Sequence, residues 1–554
     1  MKLSGAEIII NLLERQGIDT IAGIPGGSNL PLYNALFKSK IIRHILVRQE
    51  QAGGFLAQGM ARSTGKTAVC FATSGPGAVN LITAIADARL DSVPIVAITG
   101  QVAHSLIGTD AFQEVDTYGM TVPITKCNFL VRSAAELLTV IPEAFRIAAS
   151  GRPGPVLIDV PKDVQLQQIE FNTWPQPGKK EGLAYFDNDA LLRAAAMINE
   201  AKRPVIYAGG GAMYSGISKE VIKLAEKNGI PATLTLMGLG LMPHDHPLYL
   251  GMLGMHGARY TNNIVHESDL LIALGVRFDD RATGKLAEFC PSAKVIHIDI
   301  DKSEIGKLRR PEVGITGDLA AVLPVLVDLV GADKREEWVK RVETEKQKYP
   351  WSSQNADDGM HPLEIIKEIA AASNDDAIVT TDVGQHQMWV AQGYPVKSPR
   401  TLLSSGGLGT MGFGLPAALG AALANPKKQV ICFTGDGSIL MNIQELATLD
   451  EHKLNVKIIL FNNGYLGLVR QQQELFFEKN YIASHFKSNP NFTAIAEGFG
   501  IEAYQVDSIG DLKTTLPLVM AKDGPALINI YVDHTHNVLP MVPPGAANLQ
   551  MIGG

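Results

Sequence analysis

The sequence predicts an α/β protein made of three doubly wound parallel-sheet domains. Three observations carry this. The chain has 554 residues, and at about 150 residues per domain that leaves room for three units. Short apolar runs recur that end in glycine turns, with helical patterns between them, as in βαβ units around a sheet buried on both faces. The two ends of the chain also resemble each other as a weak internal repeat. Hydrophobic residues are 46% and charged residues 19%, a globular balance that excludes a disordered chain.

The first domain is placed at residues 1–165. Residues 1–16 read as a helix of the folded protein, because Glu7 and Glu14 interrupt any signal-peptide core. Strands are expected at 20–24, before Pro25-Gly26-Gly27, at 68–72, before Ser74-Gly75-Pro76-Gly77, at 94–98 and at 156–160, before Pro161-Lys162-Asp163. The polar, proline-bearing stretch 165–183 reads as a linker. The second domain, 185–350, takes strands at 204–208, 232–236, 270–274 and 294–300, and is closed by a charged helix, 333–348, and a loop at 351–359. The third, 361–540, repeats the first. The run 68–77 resembles 430–437, each is followed by a helix and an apolar strand (95–98 and 458–461), and 23–26 and 382–384 fall at comparable places. Chance similarity of two doubly wound sheets is the alternative. Residues 541–554 form a tail, a candidate lid. Such sheets bind ligands beyond the carboxyl ends of their strands, so the glycine turns mark the ligand sites.

The net charge is −7, which argues against nucleic-acid binding as the main task, since phosphates need a basic footprint. Cys70, Cys127, Cys290 and Cys432 form no CxxC pair and no zinc spacing. They read as reduced, buried thiols, and a cytoplasmic location is expected. No run of about 18 apolar residues predicts a membrane span.

The sharpest chemical signal is Gly435-Asp436-Gly437-Ser438 followed by Asn462-Asn463. The first group ends one apolar strand and the second ends the next. Two adjacent parallel strands then present a carboxylate and a carboxamide at one sheet edge, hard oxygen ligands of the kind Mg²⁺ takes when phosphate oxygens complete its shell. The glycines allow backbone to approach a pyrophosphate. A tight turn beside an unrelated Asn pair is the plainer alternative. Gly407-Leu-Gly409-Thr-Met-Gly412 spells GxGxxG, a weak dinucleotide signal without the acidic residue about 20 positions on.

A GDG turn followed by a strand ending in Asn-Asn resembles the thiamine diphosphate fingerprint. From Gly23-Ile-Pro-Gly-Gly27 to Pro540-Met-Val-Pro-Pro-Gly545, the whole chain is similar to the large catalytic subunits of biosynthetic acetolactate (acetohydroxyacid) synthases. The resemblance implies domains of the thiamine diphosphate-dependent decarboxylase/carboligase type. It implies decarboxylation of pyruvate on thiamine diphosphate and ligation of the two-carbon unit to a second 2-oxo acid, pyruvate or 2-oxobutyrate. That is the first common step of valine, leucine and isoleucine synthesis.

The site residues follow from that resemblance, position by position. Glu50 matches the glutamate that hydrogen-bonds the aminopyrimidine; by itself it is a first-turn glutamate favoured by the helix dipole. Val383, Gln385, His386, Gly409, Met411, Gly435, Asp436, Gly437, Ser438, Asn463 and Leu466 match residues around the coenzyme, with Met411 as the prop that bends it. Asp436, Asn463 and the Tyr465 backbone carbonyl match the Mg²⁺ ligands. Gly27, Phe112, Gln113, Lys162 and Arg281 match the substrate pocket. Phe112 lies against the pyruvate methyl, Gln113 reaches the oxygen of the intermediate, and Arg281 takes the second carboxylate, to which a guanidinium fork is suited. Each charged residue alone reads as an ordinary salt bridge. Arg152, Gly210, Leu253, Gly254, Met255, His256, Gly275, Arg277, Asp279, Arg281, Asp299, Ile300 and Asp318 match contacts of FAD, in a non-redox role because the net reaction moves no electrons. An empty nucleotide cleft is the alternative.

Glu50 and Asp436 lie in different domains, so one coenzyme bridges them. In the family this happens between subunits, which implies a homodimer or homotetramer, and a small regulatory subunit is expected. Gln472 stands where the family often has a Trp that favours 2-oxobutyrate, so a weaker preference follows; one methylene is worth only about 1–3 kcal/mol. Rival readings are another thiamine diphosphate/FAD carboligase, a 2-oxo acid decarboxylase and, from a different class, a flavin or nicotinamide oxidoreductase using the central domain and the GxGxxG run.

Overall fold

Short apolar runs, buried along their whole length at the sheet centres as in Ala68–Ala72, Pro204–Ala208, Leu270–Leu274 and Val430–Gly435, form the strands that organise the protein. The computed structural model describes residues 1–182, 186–350 and 360–553; Leu183 and the expected loop at 351–359 lie outside them. In the first domain the strands are β1 (Lys2–Ser4), β2 (Thr20–Gly23), β3 (Arg43–Leu46), β4 (Ala68–Ala72), β5 (Ile95–Gln101), β6 (Cys127–Leu130), β7 (Val156–Pro161) and β8 (Gln168–Glu170). The second has β9 (Pro204–Ala208), β10 (Ala232–Leu234), β11 (Tyr249–Met252), β12 (Leu270–Leu274), β13 (Lys294–Asp299) and β14 (Val313–Thr316). The third has β15 (Ile378–Thr381), β16 (Leu402–Leu403), β17 (Val430–Gly435), β18 (Val456–Asn462), β19 (Glu502–Val506) and β20 (Ala526–Tyr531).

The three main sheets are six-stranded and parallel. Their orders are β3-β2-β4-β5-β7-β6, β11-β10-β9-β12-β13-β14 and β16-β15-β17-β18-β20-β19. Counted within each six-stranded sheet, the first and third share the order 2-1-3-4-6-5. The internal repeat is therefore structural: β4 and β17 hold the same place, as do β2 and β15. The central sheet runs 3-2-1-4-5-6, with a switch point between β9 and β12.

Two expectations are corrected at the N-terminus. The first helix is Gly5–Arg15, not 1–16, because Ser4 caps it: its hydroxyl accepts from the Glu7 N–H and the Glu7 carboxylate accepts from the Ser4 N–H. Ahead of the cap, β1 pairs antiparallel with β8, Leu3 opposite Ile169. The expected linker thus begins as structure of the first domain, and Trp174 continues it under the Arg15 guanidinium. The charged helix starts late, at Glu336. Arg335 before it is left-handed, φ 41, and its guanidinium donates to the Ile198, Ala201 and Asn228 carbonyls.

The tail lies against the central domain as a strap. Met541 and Ile552 exchange backbone hydrogen bonds, Val542 N–H donates to the Met255 carbonyl, and Lys285 N–H donates to Ala546. No described helix is long and apolar enough to cross a membrane.

The first and third domains are joined by two helices, Glu50–Thr64 and Gly414–Ala424, that pack backbone to backbone. A Cβ on Gly59 would lie 2.1 Å from the Ala417 carbonyl oxygen, and one on Gly420 2.0 Å from that of Leu56. Gly420→Ala therefore forces the helices apart and is expected to cost about 1–3 kcal/mol, read as a lower thermal midpoint. Gly498→Ala, at a helical glycine with open space around it, is the control. Equal midpoints for the two variants would show that the helices separate freely.

Candidate active site

The carboxyl edge of the third sheet assembles the first group of site residues. β17 and β18 are parallel neighbours with Gly435 opposite Phe461, so Asp436 and Asn463 emerge side by side. Asp436 is buried. Its Oδ1 accepts from Gly437 N–H at 3.0 Å, and its Oδ2 from Gly464 N–H at 2.7 Å and Asn489 Nδ2 at 3.0 Å. Burial pushes this carboxyl up to about 6. Asn463 Oδ1 accepts from Tyr465 N–H at 3.0 Å, closing the turn over the carboxylate. One dry carboxylate, one carboxamide and one backbone carbonyl are hard donors, and they fit Mg²⁺ with phosphate oxygens in its remaining positions. Among the described residues no cluster of three or more His, Cys, Asp or Glu could hold a metal by itself.

The other predicted coenzyme residues gather at this edge. Ser438 Oγ donates to the Val383 carbonyl at 2.8 Å. Gly435 faces the His386 ring, where a Cβ would sit 3.0 Å away, and Gly437 faces Leu466. Burial lowers His386 to about 3, so its imidazole is neutral, and its buried Nε2 has no hydrogen-bond partner. Gln385 Oε1 meets Asn463 Nδ2 at 3.4 Å. Met411 is tied here through its neighbour, since Gly412 N–H donates to Asp382 Oδ1 at 2.7 Å. Three residues were missed by sequence reasoning as site members. Asp382 was visible in the internal repeat but given no role. Asn442, which donates to the Gly412 carbonyl, and Asn489 lie in loops with no motif spacing to Asp436.

The equivalent edge of the first sheet holds a second group. Glu50 begins its helix, and its Oε2 accepts from Asn80 Nδ2 at 2.8 Å. Its Oε1 lies beside Gly77, 3.2 Å from where a Cβ would stand, and the same turn packs on Gly26 through Thr73. Gly27 faces open space. Gln113 has a left-handed backbone, φ 59, and rests on Gly75, also at φ 59, where a Cβ would lie 2.8 Å from the Gln113 carbonyl oxygen. Glu114 accepts from the amides of Gly108, Thr109 and Ala111 and so fixes the loop on which Phe112 stands 89% exposed. Lys162 follows β7 at the start of a short helix and is exposed. Among the described residues no hydrogen bond links the Glu50 group to the Asp436 group.

A cavity of about 870 Å³ opens at the switch point of the central sheet. Arg152, Gly210, Leu253, Met255, His256, Gly275, Arg277, Asp279, Arg281, Asp299 and Ile300 line it, together with Gly409 and Gln472. Gly254 stands behind the lining against the Arg281 carbonyl. Asp318 instead caps the helix Leu319–Leu329 and pairs with Lys180, which lines the cavity. The loops after β9 and β12 meet backbone to backbone, and a Cβ on Gly275 (φ 59) would lie 2.6 Å from Ala212 N. Arg152 lies between Asp301 and Glu304, Arg277 donates to the Leu90 carbonyl, and burial raises Asp299 to about 6.

Comparison with known proteins gives the same three-part division. Residues 3–120 match the family described as thiamine pyrophosphate enzyme, N-terminal TPP binding domain; residues 191–326 match its central domain and residues 382–530 its C-terminal TPP binding domain. The chain is 56% identical over 552 residues to acetolactate synthase isozyme 1 large subunit of Escherichia coli (strain K12), covering 100% of this chain and 98% of that one. It is 45% identical to the isozyme 2 large subunit of the same organism, covering 99% of each. It is 46% identical to the chloroplastic acetolactate synthase of Arabidopsis thaliana, covering 98% of this chain and 83% of that one. The chain belongs to the acetolactate synthase large-subunit family of thiamine pyrophosphate enzymes.

Within that family frame the GxGxxG run has a different use from the one its spelling suggests. It lies between β16 and the helix Gly414–Ala424, and the Gly407 amide donates to Asp91 and the Gly412 amide to Asp382, so these donors are engaged inside the protein.

Beside the Gln113 loop, Asp159 on β7 is buried. It accepts from Thr99 Oγ1 at 2.7 Å and Gln101 Nε2 at 3.0 Å, and Gln101 also donates to the Val115 carbonyl. Burial pushes its carboxyl up to about 7. The native group keeps its proton up to that pH, whereas the unfolded one loses it near pH 4. Unfolding between those values releases a proton, so this group's contribution to stability falls as pH rises through the window. Asp159→Asn, which keeps the shape without a titrating proton, is expected to flatten that part of the stability profile, checked by denaturant midpoints from about pH 4 to 8.

Proposed function

We propose that the chain is the catalytic subunit of an acetolactate synthase, which decarboxylates pyruvate and joins the remaining two carbons to a second 2-oxo acid. The observation that carries this is the dry Asp436 carboxylate bracketed by Gly437, Gly464 and Asn489 at the end of adjacent parallel strands, in a chain matched along its length to that family. When bound, thiamine diphosphate supplies the stabilisation of negative charge that decarboxylation of a 2-oxo acid needs.

The chain's own residues bind, orient and handle protons. Asp436, Asn463 and the Tyr465 carbonyl hold Mg²⁺, and Val383, Gln385, His386, Gly409, Met411, Gly435, Gly437, Ser438 and Leu466 form the wall. Glu50 holds a proton at the aminopyrimidine ring nitrogen, with Asn80 fixing its second oxygen. Gly27 leaves space for substrate, Phe112 and Gln113 face the first 2-oxo acid, and Lys162 and Arg281 take carboxylates. A second copy of the chain completes each site, giving a homodimer or homotetramer, because the Glu50 and Asp436 groups belong to separate sheet edges. The cavity takes FAD: its place at the switch point, its glycine backbone and Arg152 and Arg277 suit a dinucleotide diphosphate, and Asp299 suits ribose hydroxyls. FAD has no redox duty, since the net reaction moves no electrons. The naming of relatives as large subunits supports a small regulatory partner, and the reduced thiols support a cytoplasmic location.

Purified chain with thiamine diphosphate, Mg²⁺, FAD and pyruvate is expected to form acetolactate. Glu50→Gln is expected to keep coenzyme binding while proton exchange at the coenzyme and turnover fall about 100-fold or more. Unchanged turnover would overturn the role of Glu50. In competition between pyruvate and 2-oxobutyrate, Gln472 is expected to give a modest bias, within about 10-fold; a strong excess of acetohydroxybutyrate would refute that assignment.

A further inference from the structure

Behind the glycine run of the coenzyme wall lies a buried cluster of three charges that the reaction does not touch. Arg62, on the helix Glu50–Thr64, is 5% exposed, Asp87 0% and Asp91 7%. One guanidinium nitrogen, Arg62 Nη2, donates to Asp91 Oδ2 at 2.8 Å, Asp87 Oδ2 at 3.2 Å and Gln58 Oε1 at 2.8 Å. The other, Nη1, donates to the Ser404 carbonyl at 3.0 Å, and the guanidinium lies over the Phe413 ring.

The carboxylates also take their donors from the opposite domain. Asp91 accepts from the amides of Gly407 at 2.7 Å and Gly406 at 3.0 Å. Asp87 accepts from Thr410 Oγ1 at 3.0 Å and from the Ser405 hydroxyl, whose oxygen accepts in turn from Thr410 N–H at 2.8 Å. Two backbone amides and two hydroxyls of one loop are thus held from the first domain. That loop continues to Gly409 and Met411, and its residues 405–409, with Asp91, also line the cavity.

A loop carrying Gly406, Gly407, Gly409 and Gly412 has much conformational freedom to lose. Apolar packing could join the domains equally well, since a buried ion cluster adds little net stability over apolar residues of the same volume; what it specifies is geometry. We propose that Arg62, Asp87 and Asp91 are positioning residues that set the 406–411 wall against the coenzyme from behind. This rests on the assignment of that wall to thiamine diphosphate.

The test uses the full chain with Mg²⁺. The binding constant of thiamine diphosphate is read by tryptophan fluorescence, with Trp389 three residues after His386, alongside kcat at saturating coenzyme and the thermal midpoint. Asp91→Asn turns an NH₂ toward the Gly406 and Gly407 amides or toward Arg62, and is expected to weaken coenzyme binding about tenfold or more. Ser405→Ala removes one small hydroxyl from a site that stays packed, and is expected to weaken it a few-fold. The weakening is expected at saturating FAD as well, since Asp91 and Ser405 also line the cavity. Native coenzyme binding in both variants, whatever their midpoints, overturns the proposal and leaves the cluster structural. Failure of the native chain to bind thiamine diphosphate saturably would instead remove the coenzyme wall itself, before any variant is compared.

Discussion

The site depends on keeping the Asp436 carboxylate out of water. A buried carboxylate is tolerated only with donors aimed at it, and the sheet edge supplies them from Gly437, Gly464 and Asn489. Those donors dictate the local sequence. A Cβ on Gly437 would lie 2.8 Å from the tip of Leu466, so a side chain there displaces Leu466, and Gly464 turns with φ 71. The turn that brings the Gly464 amide to Asp436 also fixes Asn463 and Tyr465. Even so, burial holds the carboxyl near 6, so its charge near neutrality is incompletely compensated by neutral donors. A divalent cation would add the opposite charge that lowers what desolvation raises.

The two outer domains share one topology, and the chain joins them by their helices rather than by their ligand edges. The glycines at 59 and 420 let the helices Glu50–Thr64 and Gly414–Ala424 touch backbones, and the Arg62 cluster locks the same junction. Within one chain the joint is therefore close-packed, while the Glu50 edge and the Asp436 edge remain separate halves. The proposed homo-oligomer would bring the two halves together from two copies of the chain, with Glu50 and Asp436 standing on related sheets that share no hydrogen bond among the described residues.

What was legible in the sequence was local. β9 and β12 match the expected 204–208 and 270–274 residue for residue, because parallel strands buried on both faces are apolar runs bounded by breakers. The Asp436 turn was legible for the same reason, as its chemistry lies within a few residues of a strand end. β1 and β8 were not, since three-residue strands carry no periodicity and their partners are over 160 residues apart. Asn489 and the Arg62 cluster were invisible because each acts across a long sequence separation, Arg62 reaching the Ser404 carbonyl 342 residues away. The left-handed backbone of Gln113 also has no sequence signature, because it is imposed by Gly75 beneath it and by the Glu114 carboxylate beside it.

The central domain differs in topology, and the difference gives it its function. Its order reverses between β9 and β12, whereas the outer sheets reverse between β2 and β4 and between β15 and β17, so each sheet places its crevice at a different pair of strands. The crevice is floored by the central glycines but walled on one side by Asp91 and the loop 405–409 of the other two domains. That loop therefore has two faces. One is held by Asp87 and Asp91, and the other is open to the cavity. A dinucleotide seated there would brace residues 405–409 from the cavity side, leaving the Met411 end of the loop to face the coenzyme. The flavin proposed for this cavity would fill space between three domains, a role that moves no electron.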